Sequence, residues 1–192
     1  IVDTYEGSPT GALFWCIGNR EVYGYETKVG QIFGQGFETF ENATDRRHAE
    51  NIKRLVDEGG GPLTAMVDLC HEAGIDIFPS VRMNSHYEAD PNAPNAGRFR
   101  NEHPEYLIGR PDEVLPIGSM RWGIRTGLDY THAPVRAHMA AIINELFESF
   151  DVDGIELDFM RHPGVFRPEQ GYANRHLLTD MVRQLRARME QI

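Results

Sequence analysis

Cysteine is scarce in this chain of 192 residues, with only Cys16 and Cys70. Cys16 falls in an apolar run and Cys70 on the apolar side of an expected helix. Both therefore read as buried thiols, and no disulfide framework or cysteine metal site is expected. Lysine is scarce too: Lys28 and Lys53 stand against seventeen arginines among 19 basic residues, a skew that genomic base composition explains. Positive charge is in deficit overall, with 29 acidic residues and a formal charge of −10. That balance argues against a nucleic-acid partner, which favours a basic face. No apolar run approaches a membrane span, and the first residues carry no signal-peptide pattern. The chain opens on Ile1 rather than Met, so a native leader is expected to have been removed. There is no Gly-rich phosphate loop after the first apolar run and no Gly-x-Ser-x-Gly elbow. His71-Glu72 has no second His at helical spacing, which excludes a zincin motif. Nothing calls for a cofactor.

What is there suits one sizeable core, since 41% of the residues are hydrophobic. Ala12-Leu-Phe-Trp-Cys-Ile17 reads as a buried strand ending at Gly18-Asn19. Thr44 is a candidate N-cap for a helix to Glu58, with Ala49, Ile52, Leu55 and Val56 inward. Gly59-Gly-Gly-Pro62 breaks that helix, and a second places Leu63, Met66, Val67 and Cys70 in register. The stretch 75–81 is the next strand. Residues 83–127 are polar, rich in Pro, Gly, Asn and Arg, and longer than a passive connection usually is. Leu128-Asp-Tyr-Thr131 reads as a third strand. Thr131 and Pro134 then start the clearest helix, striped by Val135, Met139, Ile142, Ile143, Leu146, Phe147 and Phe150. Gly154–Phe159 is a fourth strand, and a last helix turns Leu177, Leu178, Met181, Val182, Leu185 and Met189 inward.

This alternation predicts an α/β fold with a parallel sheet and right-handed crossovers. An eight-stranded barrel takes roughly 250 residues. Residues 1–192 are therefore expected to form about four β/α units, the N-terminal half of a (β/α)8 barrel of TIM type. A small doubly wound domain is the alternative.

In a parallel sheet the C-terminal strand ends share one edge, which is where α/β active sites are built. Arg82, Asn84 and His86 follow the second expected strand, Asp129 and Tyr130 belong to the third, and Glu156, Asp158, Arg161 and His162 to the fourth. Glu156 and Asp158 project from the same face, a costly arrangement unless the carboxylates are bonded, paired or used. A proton donor and an attacking or water-activating group converging at one edge is what hydrolysis of a glycoside or ester needs. Glu156 sits one layer deeper than Asp158 and is placed as a structural or pKa-tuning neighbour. Asn84 and His86 serve equally well to hold a loop, Asp129 to start a helix, and His162 to hold a turn. Glu156, Asp158 and His162 are a weak cation set. Arg98, Arg100, Arg110, Arg121 and Arg125 are read first as solvated surface, and second as a greeting for an anionic sugar.

Three motifs add a family likeness. Val81-Arg-Met-Asn-Ser-His86, Leu128-Asp-Tyr-Thr-His-Ala-Pro-Val-Arg136 and Phe150-Asp-Val-Asp-Gly-Ile-Glu-Leu-Asp-Phe-Met-Arg-His-Pro163 resemble the glycosyl hydrolase-like family 10 proteins. Those are bacterial glycosidases with TIM-barrel folds, many of them exported, so the resemblance implies a carbohydrate substrate and export. The same residues are more distantly similar to the α-amylase superfamily. That likeness implies Asp158 as nucleophile, His162 as a substrate contact, and a general acid from a fifth strand outside this chain. Glu156 stands where that superfamily has Arg. The strand also resembles that of chitinases, but Met160 occupies the position of their proton-donating Glu. A glycan-binding barrel without catalysis and a metal-dependent hydrolase are the competing classes.

Overall fold

The computed structural model describes residues 2–5, 7–87, 90 and 92–191. In chain order the elements are β1 (Ala12–Cys16), β2 (Gly18–Asn19), β3 (Val22–Tyr23), β4 (Gln31–Ile32), α1 (Ala43–Gly59), α2 (Gly61–Glu72), β5 (Asp76–Arg82), α3 (Arg98–Glu102), α4 (Met120–Ile124), α5 (Ala133–Ser149), β6 (Glu156–Asp158) and α6 (Gly171–Met189). Single 3-10 turns lie at Val2–Thr4, Pro104–Tyr106 and Pro168–Gln170. β1, β5 and β6 form a parallel sheet in the order β1-β5-β6. The fold is therefore α/β, and the described residues close no barrel.

Alternation along each strand splits this sheet into two unlike faces. One face carries Ile77 and Val81, both fully buried, with Leu13, Trp15, Ile155 and Leu157 packed beside them. It meets Leu63, Val67 and Cys70 of α2 and Met139, Ile142, Ile143 and Leu146 of α5. Side chains of this kind contribute about 1.5–3 kcal/mol each when fully buried, so this layer is the main source of stability. On the other face Phe14 stacks on Phe78 at 4.9 Å between centroids, yet Phe14 stays 57% exposed. Cys16 is exposed on that same face. The first strand is thus half buried, because helices cover only one side of it; the expectation of a buried Cys16 thiol is corrected, while Cys70 is buried.

The register places Cys16, Ser80 and Glu156 in one row across the sheet, and Arg82 beside Asp158 one row higher. Below them Gly154 touches Phe78: a Cβ there would stand 2.5 Å from the ring. Glycine is required at that position by contact rather than by backbone angle.

α1 begins two residues before the expected cap, at Asn42, whose side chain accepts from Asp45 N at 2.8 Å. It ends at Gly60, where φ is 99°, and Gly61 follows at 85° with Pro62 in the first turn of α2. Left-handed angles at two successive positions let the chain reverse without a linker. α5 follows its expected stripe and starts after His132. In α6, Met181 and Leu185 are buried but Val182 is exposed.

The expected strand at Leu128–Thr131 does not enter the sheet. β5 pairs directly with β6, and Leu128 makes only a single antiparallel bridge to Leu107. Arg100, which is buried rather than solvated, ties residues 85 and 126 of the connection together around it. Its guanidinium donates to Ser85 O at 3.1 Å, to Thr126 O at 2.9 Å and to both carboxylate oxygens of Glu21. A second sheet, β2-β3-β4, stands above the end of β1, and its residues gave no periodic signal in the sequence.

Candidate functional site

The C-terminal ends of β5 and β6 bring most of the candidate residues together. Arg82 and Asp158 are register partners, and Met83 N extends the pairing by donating to Asp158 O at 3.0 Å. Asp158 Oδ1 accepts from Met160 N at 2.9 Å and Arg161 N at 3.0 Å. Two backbone amides on one oxygen form a tight turn that fixes the orientation of the carboxylate. Oδ2 takes no hydrogen bond among the described residues. Glu156 lies a row deeper on the same face, level with Ser80.

His162 is buried behind this carboxylate. Its Nδ1 accepts from His86 N at 3.3 Å, which puts the proton of the neutral ring on Nε2. That Nε2 is buried and has no partner among the described residues. Burial, followed by the neighbouring His86, Arg161 and Arg82, pushes the His162 imidazole down to about 4, with Asp158 opposing. The His86 ring lies 4.9 Å away and is tied by Nε2 to Gly164 O at 2.7 Å. Burial lowers His86 as well. Tyr87 packs its ring edge-on to His162 at 4.6 Å, and Arg161 donates to the Tyr87 hydroxyl while lying over its ring at 5.5 Å. Two imidazoles and two arginines thus surround the carboxylate at this rim, so donors and an acceptor face one another there.

Other candidates are placed differently. Asn84 is buried and fully engaged: Nδ2 donates to Leu128 O at 2.8 Å and Gly164 O at 2.9 Å, while Oδ1 accepts from Leu128 N and Ser85 N. Asp129 is buried, and its Oδ1 accepts from Thr131 N at 2.9 Å at the entry to α5. Tyr130 is fully buried and donates its hydroxyl to Met83 O. These three side chains hold the segment 128–131 against the end of β5. In that position they support the rim rather than project from it.

Two features escaped the sequence. Glu145, within the apolar stripe of α5, accepts from Thr27 Oγ1 at 2.5 Å, Lys28 N at 2.6 Å and Tyr25 OH at 3.3 Å. A cavity of about 410 Å³ opens beside the end of β1, between the β2–β3 hairpin and the start of α2; Arg20 and Arg82 both line it. Among the described residues no group of three or more His, Cys, Asp or Glu side chains could hold a metal ion, and no helix is long and apolar enough to cross a membrane.

An α/β protein with a polar rim at the C-terminal edge of a parallel sheet is the class this geometry defines. The sequence matches no protein-family model and no curated protein. Among solved structures, alpha-L-fucosidase isoenzyme 2 from Paenibacillus thiaminolyticus is similar over 100% of this chain and 27% of its own, at 11% identity and a TM-score of 0.59. The GH36 alpha-galactosidase AgaA from Geobacillus stearothermophilus, in complex with raffinose, matches 70% of this chain and 18% of its own at 17% identity, TM-score 0.44. The galactosidase domain of the alpha-galactosidase-sucrose kinase AgaSK matches 67% and 16% at 16% identity, TM-score 0.45. The chain spans less than a third of the length of each. The fucosidase likeness is one of fold.

Proposed function

We propose that this chain is the N-terminal half of a (β/α)8 glycoside hydrolase that cleaves O-glycosidic bonds of a poly- or oligosaccharide. The observation that carries the reading is Asp158 at the end of β6, with one oxygen held by two turn amides, Arg82 alongside and His162 neutral behind it. Whole-chain similarity of fold to a fucosidase supports it. In this reading the second Asp158 oxygen attacks the anomeric carbon. The amides of Met160 and Arg161 keep the carboxylate aimed. Glu156 lies deeper and tunes the site. The proton for the leaving group comes from a further strand of the barrel, as separation of acid and nucleophile across the sugar requires. Arg161, His162 and His86 bind the sugar, and Tyr87 offers it a stacking surface. Export from the cell completes the proposal.

A second reading is glycan binding without cleavage. It is favoured by the way Asp158 Oδ1 is consumed in the turn, a role that needs no chemistry. Release of reducing ends from a broad polysaccharide panel, compared between the protein and its Asp158→Asn variant, separates the two. Asparagine retains an acceptor for the turn amides, so the fold is expected to survive while turnover drops by several orders of magnitude. Equal cleavage by the variant would remove Asp158 from the chemistry. Sugar binding with no cleavage by either protein would establish the second reading.

A further inference from the structure

The cavity beside the end of β1 is built differently from the rest of this acidic molecule. Against 29 acidic residues in the chain, its lining includes Arg20, Arg82 and His48 and no carboxylate. Arg20 is 94% buried by its 6% exposure, a placement that guanidinium groups take only with compensation. Its Nη1 donates to Tyr87 O, but its Nε is buried without a partner among the described residues. The adjacent Glu21 acts on it through space but does not bond it, since both Glu21 oxygens are taken by Arg100 at 2.7 and 2.9 Å. Among the described residues, neither Arg20 nor Arg82 forms an ion pair. Burial, and then the charge of Arg100, lower the Arg20 guanidinium to about 10, so it remains a cation at neutral pH.

The backbone delivers Arg20 to this position at a conformational cost. Arg20 and Glu21 occupy the two central positions of the hairpin between β2 and β3, at φ 59° and 60°. Such turns normally take Asn-Gly, because both positions are left-handed. They are the two non-glycine residues with positive φ among the described residues. The Glu21–Arg100 pair clamps one of them, which leaves the other side chain directed at the cavity. The remaining wall is mostly apolar and aromatic, including Trp15 and Phe33, with Asn19 and Asn95 as neutral polar members. A volume of about 410 Å³ is within the range of small-ligand sites. Cys16, exposed at the end of β1, is part of the lining.

We infer that this cavity is a substrate subsite for a sugar unit bearing an oxyanion, a carboxylate or a sulfate, received between Arg20 and Arg82. Planar guanidinium forks suit both groups. Arg82 belongs to the cavity and to the Asp158 rim alike, so the anionic unit sits next to the bond to be cleaved. The inference rests on the glycoside hydrolase reading of that rim and names its substrate class.

The test is calorimetric titration of the full chain with polygalacturonate, alginate and chondroitin sulfate, each beside its carboxyl-reduced or desulfated form. At least one anionic polymer is expected to bind tenfold or more tightly than its neutralised form, with affinity falling as salt rises. Arg82→Gln should lose that preference, and Arg20→Gln should do the same if its circular dichroism is unchanged. Bound polymer should also slow labelling of Cys16 by a small thiol reagent, which locates the site. Equal affinity for every neutralised form, or unslowed labelling under saturation, would overturn the inference. Binding without reducing-end release keeps the subsite and removes the hydrolase reading. Equal cleavage of the neutralised polymers does the reverse.

Discussion

Asn84 and Leu128 exchange two hydrogen bonds across 44 residues of sequence: Nδ2 donates to Leu128 O and Leu128 N donates to Oδ1, both at 2.8 Å. The side-chain amide here replaces a peptide group. It pairs with residue 128 as a neighbouring strand would, and its remaining bonds reach Ser85 N and Gly164 O. One buried side chain thus joins the end of β5, the entry to α5 and the loop after β6.

Replacing Asn84 with leucine strands the Leu128 and Ser85 amides and the Leu128 carbonyl in a buried place, while Gly164 O keeps His86 Nε2. Each unsatisfied group costs about 1–3 kcal/mol. Asn84→Leu is therefore expected to lower stability by about 3 kcal/mol or more, read as a shift in the urea midpoint at unchanged slope. Loss of less than about 1 kcal/mol would show that the segment 128–131 is held by its packing instead.

The Glu21–Arg100 pair gives a second expectation. Side-chain exposures of 5% and 2% place both charges out of water. Breaking a buried pair from one side costs about 3–5 kcal/mol, because the survivor stays buried and unpaired. Glu21→Gln and Arg100→Met should each fall in that range. The double variant should cost clearly less than their sum, since it leaves neither charge behind. Additive losses would mean that the two side chains act separately, Arg100 through Ser85 O and Thr126 O.

Helices α1, α2, α5 and α6 were legible from their apolar spacing, and β1, β5 and β6 from short apolar runs; the short α3 and α4 within the 83–127 connection were not. What periodicity could not convey was which side of a strand has a partner. The run Ala12–Cys16 is apolar on both faces, yet only Leu13 and Trp15 pack on the core. Leu128–Thr131 was misjudged for a related reason. Its burial is real, but it comes from a side chain at position 84 rather than from strand pairing, and no local pattern encodes that. The rim residues Arg82, Glu156, Asp158, Arg161 and His162 were found because strand ends are predictable. Arg20 was not, because neither it nor Glu21 is a usual residue for the turn they form.

The two thiols offer a simple check on the bare sheet face. Cys16 is exposed and Cys70 is fully buried against the core, where burial also raises its thiol pKa. Reaction depends on access and thiolate fraction together. One thiol per chain should react with Ellman's reagent under native conditions, and two in denaturant. A Cys16→Ser variant should be silent until unfolded. Two native thiols would mean that α2 does not pack as described.

Histidines at opposite ends of the sheet should respond to pH in opposite directions. At the C-terminal end, burial and three cationic or imidazole neighbours hold His162 near 4. Between about pH 6.5 and 4 the unfolded chain gains a proton that folded His162 refuses. Stability from this residue therefore falls as pH drops through that window and changes no further below it. At the other end, His71 Nε2 lies 3.0 Å from Asp153 Oδ2, which also accepts from Ile77 N at 2.8 Å. The Asp153 hydrogen bond raises His71 above its ordinary value. Its contribution is complete below about pH 6.5 and is lost as pH rises through the folded value. Side-chain NMR titration, with His162→Gln and His71→Gln variants for assignment, should show one ring still neutral at pH 5 and another still protonated above 6.5. Both rings titrating together near 6.5 would contradict the burial of the first and the ion pair of the second. His162→Gln should then reduce the acid-side loss of stability, leaving the share that the lowered His86 and His138 carry, while the alkaline side stays unchanged, because the His71–Asp153 contact lies beyond the other end of β6.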